Sequence, residues 1–459
     1  MRKLGRKASI SIIGAGSAVF SSRLIGDICL TKGLWGSKIT LMDINKERLN
    51  IVYKLAVKYR DALKAELEFE TTTDRKSALE GADFVICAVK VGSYEALESE
   101  RKIAEKYGYY RGIGDRVSDY YGGIGAYHQL KFFLELAEDM ERFCPDAWLI
   151  ESANPVFEGT TLLARETKIK VVGLCHGHLG YRHVVDALEL DPTQVNVQMA
   201  GFNHNIWMTH FLYKGQNAYP LLDKWIEERA EEYWKSEKFL NSPPSVSEQM
   251  SPAAVEMYKI FELFPIGDTV RSVSPWWFHI DLKTKQRWYG PTGGFDSEIG
   301  WTGYLTALDE KLKRMHELAA STTVPLEKET ISLSGEQHAA LINAIVNDEE
   351  TKLQLNIPNK GLIEGIPEDV VVEVPAIASG RGVQGIYVGG LPKRLMLYIM
   401  IPRMLRMERI LQSFLEGDRK SLLLMLMDDP RTKSFEQAKS LLEDLFAQPW
   451  NSEAALHYK

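Results

Sequence analysis

The sequence predicts an α/β protein, with a doubly wound parallel sheet in residues 1–195 and an α+β C-terminal lobe in residues 196–459. Three observations carry this. Up to about residue 175, short β-branched runs alternate with longer stretches of helical periodicity, the pattern of βαβ units. A glycine-broken turn joins the first such run to the first helical stretch. After about residue 195 the rhythm changes to aromatic-rich loops, isolated strands and helices.

Taken in order, Ala8–Ile13 is the first strand candidate. The basic leader Met1-Arg2-Lys3-Leu4-Gly5-Arg6-Lys7 has the charge of a signal-peptide n-region. The apolar stretch behind it is short, broken by serines, and runs into a charged amphipathic segment with Arg23 and Asp27, so a buried strand fits better. Lys38–Asp43, Leu67–Thr71, Phe84–Val89, Ala147–Glu151 and Lys170–Gly173 are the strands that follow. Ser17–Thr31 and Lys46–Ala65 carry apolar residues at helical spacing, with Asp43 and Asn45 as caps for the second helix. In the C-terminal lobe Val195–Ala200 reads as a strand, Tyr219–Trp234 and Ala253–Leu263 as helices, and Leu353–Ile357 and Val370–Val374 as returning strands. Leu395, Tyr398, Ile399, Pro402, Leu405 and Met407 share one long helical pattern that Pro402 should kink or split. Arg431-Thr432-Lys433-Ser434 leads into a last amphipathic helix ending near Phe446.

Composition narrows the function. Lys and Arg total 55 against 62 Asp and Glu, a net charge of −7, so no broad basic surface is on offer and nucleic acid is excluded as a partner. With no run of ~18 apolar residues, no membrane span is expected. Cys29, Cys87, Cys144 and Cys175 are widely spaced and form no CxxC pair, so free thiols in a reducing cytoplasm are expected.

The residues with chemistry cluster at strand ends. Gly14-Ala15-Gly16-Ser17-Ala18-Val19 follows a strand and opens a helix, the setting in which backbone amides approach a dinucleotide pyrophosphate. The third glycine position of that Rossmann-like fingerprint is Val19. Asp43 ends the second strand, where a carboxylate accepts from the adenosine ribose and disfavours a ribose phosphate, so NAD is expected over NADP. Asp43 can also serve as a helix cap, and the two roles can coexist. Cys175-His176-Gly177-His178 and Gly201-Phe202-Asn203-His204 both follow strands and together supply a thiol and imidazoles. That set suits a divalent transition metal with open positions, although a lone cysteine at a strand end is also an ordinary buried apolar residue. Asn154, before Pro155, would be held extended and aimed into the cleft. Asp268 and Arg271 lie three apart after an apolar run, as either site residues or an ion pair. A polar loop broken by glycines, with Arg111, Asp115, Asp119 and Gly122-Gly123, is expected at the cleft mouth.

In this order, these motifs resemble glycoside hydrolase family 4. The resemblance runs through Ile12-Ile13-Gly14-Ala15-Gly16-Ser17, Leu41-Met42-Asp43, Ala153-Asn154-Pro155, Cys175-His176-Gly177-His178 and Gly201-Phe202-Asn203-His204. It continues through Ile266-Gly267-Asp268-Thr269-Val270-Arg271, Ser334-Gly335-Glu336-Gln337-His338 and Asn356-Ile357-Pro358-Asn359-Lys360-Gly361. Within the family the chain looks most like the NAD- and manganese-dependent α-glucosidase branch. The resemblance implies a lactate/malate dehydrogenase-like arrangement of the two lobes. It implies NAD on Gly14, Gly16, Ser17, Ala18, Val19, Phe20 and Asp43, and Mn²⁺ or another divalent metal on Cys175 and His204. It also implies redox elimination: oxidation at sugar carbon 3, proton abstraction at carbon 2, an enediolate stabilised by a Lewis acid, loss of the aglycone, water addition and re-reduction. Asp268 is expected as base, His176 as leaving-group acid or substrate contact, and Asn154, Asp119 and Arg271 as sugar contacts, with His178 and His210 as structural histidines. A thiolate ligand implies that a reducing thiol is needed for activity.

The favoured substrate is a small-molecule α-glucoside such as maltose. A hexuronide is the alternative, since Arg111, Arg116 and Arg271 could receive a carboxylate, and an α-galactoside or 6-phosphoglycoside stays open. The competing activities are a plain NAD-dependent dehydrogenase and an NAD sensor. A homodimer or homotetramer is expected from the resemblance.

Overall fold

In the computed structural model, residues 7–17, 21–110, 124–321 and 332–459 are described. Their strands are β1 (Ser9–Ile13), β2 (Lys38–Met42), β3 (Glu68–Thr72), β4 (Phe84–Cys87), β5 (Trp148–Glu151), β6 (Lys170–Gly173) and β7 (Val195–Phe202). They continue as β8 (Asn205–Tyr213), β9 (Gln216–Asn217), β10 (Phe264–Ile266), β11 (Thr351–Pro358), β12 (Val371–Ser379) and β13 (Gly382–Gly385). All join one sheet with the spine β10-β8-β7-β12-β11-β6-β5-β4-β1-β2-β3.

The first six strands are parallel and ordered 3-2-1-4-5-6, the arrangement of doubly wound dinucleotide-binding sheets. β4 is buried at every residue, as expected for a central strand covered by helices on both faces. The six strands predicted from the sequence are present, each within two residues of its expected limits. Of the first predicted helix, α1 (Ser21–Leu30) is described; the second is α2 (Lys46–Leu63). Asn45 caps α2, its side chain accepting from the Arg48 N–H at 3.0 Å.

The other half of the sheet is antiparallel. β11 meets β6 at a single register pair, Asn356 with Gly173, and β12 meets β7 at Glu373 with Gly201. With Asn356 opposite Glu373, one row of residues crosses the junction: Gly173, Asn356, Glu373, Gly201.

Two helical expectations are refined. The run predicted as Tyr219–Trp234 divides into Tyr219–Glu228 and Ala230–Tyr233, because Arg229 leaves helical geometry at φ −127° and ψ −21°. Between Lys393 and Glu416 the helix does not split; it widens into a π turn over Met396–Met400 just ahead of Pro402. Pro402 has no N–H for the Tyr398 carbonyl, and a wider turn accommodates that missing bond.

The larger hydrophobic core includes Ile10, Val85 and Ile150 of the parallel strands together with Leu341, Met407, Leu422 and Leu442 of the C-terminal helices. A second core, with Met208, Trp225, Val255 and Phe264, lies under the antiparallel strands. Cys29, Cys87, Cys144 and Cys175 are all free. No described helix is long and apolar enough to cross a membrane.

Candidate active site

The glycine turn is shaped by close approaches. Gly14 has φ +86°, and a Cβ there would lie 2.8 Å from the Val89 side chain. A Cβ on Gly16 would lie 2.7 Å from Asp43 Oδ2, which accepts from the Gly16 N–H at 2.8 Å. The other Asp43 oxygen accepts from the Asn45 N–H at 2.8 Å. Asp43 therefore ties the turn to the end of β2 and leaves the capping of α2 to Asn45. Ser17 closes the turn, its N–H donating to the Gly14 carbonyl at 3.2 Å. Ala18, Val19, Phe20 and Asp119 lie outside the described residues, as do Arg111 and Arg116.

Beyond β6 and β7 the chain brings Cys175, His204, Asp268 and Arg271 together. His204, at φ +59° in the turn after β7, sets Nε2 3.1 Å from Asp268 Oδ2. Asp268 Oδ1 receives Arg271 Nη1 at 2.8 Å. Burial alone would raise the Asp268 carboxyl, but Arg271 and the neighbouring imidazoles hold it well below the usual carboxylate range. Burial lowers the His204 pKa, and the Asp268 charge opposes that shift. Arg271 is buried against Asp268, Glu248 at 3.0 Å and Asp296 at 3.2 Å, with Phe295 stacked on the guanidinium at 4.8 Å. Burial pushes Glu248 up to about 7 despite Arg271.

The Cys175 thiol is pushed above its ordinary value by burial first and then by the charges of Glu373 and Asp268. The Gly177 N–H reaches its sulfur at 3.4 Å. Glu373, in mid-β12, accepts from Asn203 Nδ2 at 3.1 Å, and Asn203 also bonds the thiol. His176 is exposed, with Nδ1 3.3 Å from Glu336, which raises its pKa. Glu336 also faces His338 at 3.9 Å, and His338 Nε2 bonds the Ser152 hydroxyl at 2.6 Å. Asn154 follows β5 at a cis peptide to Pro155; its side chain is exposed and makes no hydrogen bond among the described residues. His178 is buried, its Nδ1 3.1 Å from the Cys175 carbonyl.

Among the described residues no three His, Cys, Asp or Glu side chains form a ready metal cluster. Cys175 and His204 are a two-donor set, a thiol and an imidazole beside the carboxyl groups of Asp268 and Glu373. That chemistry fits a borderline divalent cation, whose charge would offset the crowded acids.

Sequence reasoning missed Glu248, Asp296 and Glu373. Glu373 had a visible signal, a lone acid inside the apolar run Val370-Val371-Val372-Glu373-Val374. Glu248 and Asp296 had none, because only the fold carries them to Arg271.

The chain matches known proteins along most of its length. The model for family 4 glycosyl hydrolases matches residues 9–190, and that for the family's C-terminal domain matches residues 199–432. An α-galacturonidase of Thermoanaerobacter italicus is 26% identical over 462 residues, covering 95% of each chain. An α-glucosidase of Erwinia rhapontici is 29% identical over 409 residues, covering 83% of this chain and 84% of its own. A 6-phospho-α-glucosidase from gut microorganisms, solved in complex with NAD and Mn²⁺, superposes with a TM-score of 0.75 at 18% identity, covering 96% of this chain and 98% of its own. Both halves of the chain, joined through one sheet, belong to glycoside hydrolase family 4, and the protein is a glycosidase of that family.

Proposed function

We propose that the chain is an NAD- and divalent-metal-dependent α-glycosidase working by redox elimination, with a neutral α-glucoside such as maltose as its favoured substrate. The observation that carries this reading is the juxtaposition of Cys175, His204, Asp268 and Arg271 beyond the strands of a dinucleotide-type sheet. Support for the cofactors comes from the related 6-phospho-α-glucosidase, whose structure holds NAD and Mn²⁺.

When bound, NAD would supply a hydride acceptor for sugar carbon 3, and the divalent ion would supply Lewis-acid stabilisation of the enediolate. Cys175 and His204 are the residues to hold the ion, and Gly14, Gly16, Ser17 and Asp43 the described ones to hold NAD. Asp268 would take the carbon 2 proton. Its Oδ2 lies 3.1 Å from His204 Nε2, which holds the carboxylate in place beside the proposed metal ligands. Arg271 keeps Asp268 ionised from the other side. His176, whose pKa is raised by Glu336, would donate a proton to the leaving oxygen. Asn154, exposed and unengaged among the described residues, is free to meet sugar hydroxyls.

Arg271 also bears on substrate choice. Its guanidinium is spent on three carboxylates, which leaves it poorly placed to receive a uronic acid. The α-galacturonidase relative favours the hexuronide reading, which would then depend on Arg111 and Arg116. Free cysteines fit a reducing cytoplasm. Exposed Leu397, Tyr398 and Leu405 support a homo-oligomer.

The test is release of p-nitrophenol from α-glucoside, α-galactoside, α-galacturonide, α-glucuronide and 6-phospho-α-glucoside substrates, with and without NAD, Mn²⁺ and dithiothreitol. Cleavage of the α-glucoside that needs all three additions is expected. Cleavage without NAD would overturn the mechanism, and preference for a uronide would overturn the substrate. Hydrogen peroxide should abolish activity and dithiothreitol restore it; activity unchanged by peroxide would remove Cys175 from the metal site.

A further inference from the structure

A second cavity, of about 780 Å³, opens beside the antiparallel strands and touches none of Cys175, His204, Asp268 or Arg271. Its origin is local. Pro375 of β12 faces the edge shared by β13 and β7, where its carbonyl accepts from the Ile386 N–H at 2.8 Å and it has no N–H to give. The β7 carbonyl of Met199 is met instead by the side chain of Gln354, Nε2 to oxygen 3.2 Å. Pairing of β12 with β7 is confined to Glu373 with Gly201, and the cavity opens where Met199, Gln354 and Pro375 line it.

The lining has a definite chemistry. Lys214 and Lys352 are its charged residues, both exposed and neither in an ion pair among the described residues, and no Asp or Glu lines the cavity. Lys214 lies over the Tyr213 ring at 5.1 Å. Asp191, near this wall, is occupied by the Thr193 N–H and hydroxyl at 3.0 and 2.8 Å. With Lys214 and Lys352 lining it and Asp191 as the acid beside Lys214, the cavity is net positive in a chain of net charge −7 and favours anions. The inner wall holds His178, nine-tenths buried. Its Nδ1 faces the Cys175 carbonyl and so must donate, leaving Nε2, which has no partner among the described residues, as an acceptor. An acceptor inside and cations outside describe a ligand with hydroxyl groups at one end and negative charge at the other.

We propose that this cavity is a second binding site, distinct from the catalytic cleft, for a small polyhydroxylated anion held by Lys214 and Lys352 at the mouth and by His178 within. Gluconate is the probe. Isothermal titration calorimetry is run on the full-length protein, on Lys214→Ala/Lys352→Ala and on Cys175→Ser. Gluconate should bind the wild type and Cys175→Ser alike, and the double variant, which loses both charged contacts, at least ~10-fold more weakly. Neutral glucitol and inorganic phosphate, each offering half of the recognised chemistry, should bind the wild type more weakly than gluconate. The proposal is overturned if gluconate does not bind the wild type, if the double variant binds as tightly, or if binding is lost in Cys175→Ser alone, which would place the ligand in the catalytic cleft. Binding is read without turnover, so failure here is distinguishable from failure of the proposed activity.

Discussion

Glu151 ends β5 fully buried, its Oε1 accepting from the Ala153 N–H at 2.6 Å and its Oε2 from the Thr160 hydroxyl at 3.3 Å. Burial outweighs those bonds and pushes the carboxyl up to about 8. The folded protein then holds a proton that the unfolded chain releases above its ordinary value of 4.5. Stability from this group is present below that value and is lost as pH rises from 4.5 toward about 8. Glu151→Gln keeps the acceptor for Ala153 and removes the titration. We expect it to match the wild type near pH 4 and to exceed it at pH 8 by at least ~1 kcal/mol, read as a higher Tm in pH-resolved thermal melts. Equal melting at both pH values would show that Glu151 ionises freely in the fold. The same rule of burial against charge runs the other way at Asp268, where the contact with Arg271 wins and the group stays ionised.

At the scale of elements, the glycine turn between β1 and α1 shows what the sequence made legible and what it did not. Alternation of apolar runs located the strands, and the Gly14-Ala15-Gly16 turn was visible because few residue types tolerate that geometry. The part played by Asp43 in bonding the Gly16 N–H was not readable, since a strand-end carboxylate also serves as a cap. Gly14→Ala tests the turn. The new Cβ would meet Val89 at 2.8 Å and the Ala88 backbone at 3.0 Å, on a residue already at φ +86°. The left-handed backbone alone costs ~1–2 kcal/mol. We expect a lower Tm together with at least ~10-fold weaker NADH binding by fluorescence titration. Unchanged NADH affinity would mean that the turn does not cradle the cofactor. The π turn ahead of Pro402 was half legible: proline announced a disturbance, and only packing decided that the helix would widen rather than break.

Across the whole molecule, the two halves cannot be separated without opening the core. Periodicity identified the parallel half, but it could not reveal that β11 and β12, some 180 residues downstream by chain numbering, complete the sheet beside β6. Contacts so distant in sequence leave no local signature. The helices that follow them seal the first core: Leu341, Met407, Ile410, Leu441 and Leu445 are buried in the same cluster as Ile10, Val85 and Ile150. Polar contacts reinforce the seam. Arg403 reaches buried Glu158 at 2.6 Å, Arg165 bonds Glu408 at 2.7 Å, and Asn451 and Trp450 both donate to Glu100 at 2.9 Å. A fragment of residues 1–195 keeps the whole parallel sheet yet loses this cover, exposing the apolar faces that these helices bury. We therefore expect the fragment, expressed alone, to bind the hydrophobic dye ANS strongly and to show no cooperative thermal transition, while the full chain melts with its two halves coupled. A fragment that unfolds cooperatively and binds NADH as tightly as the full chain would show that the C-terminal helices are dispensable to the sheet, and that cofactor binding needs only the N-terminal half.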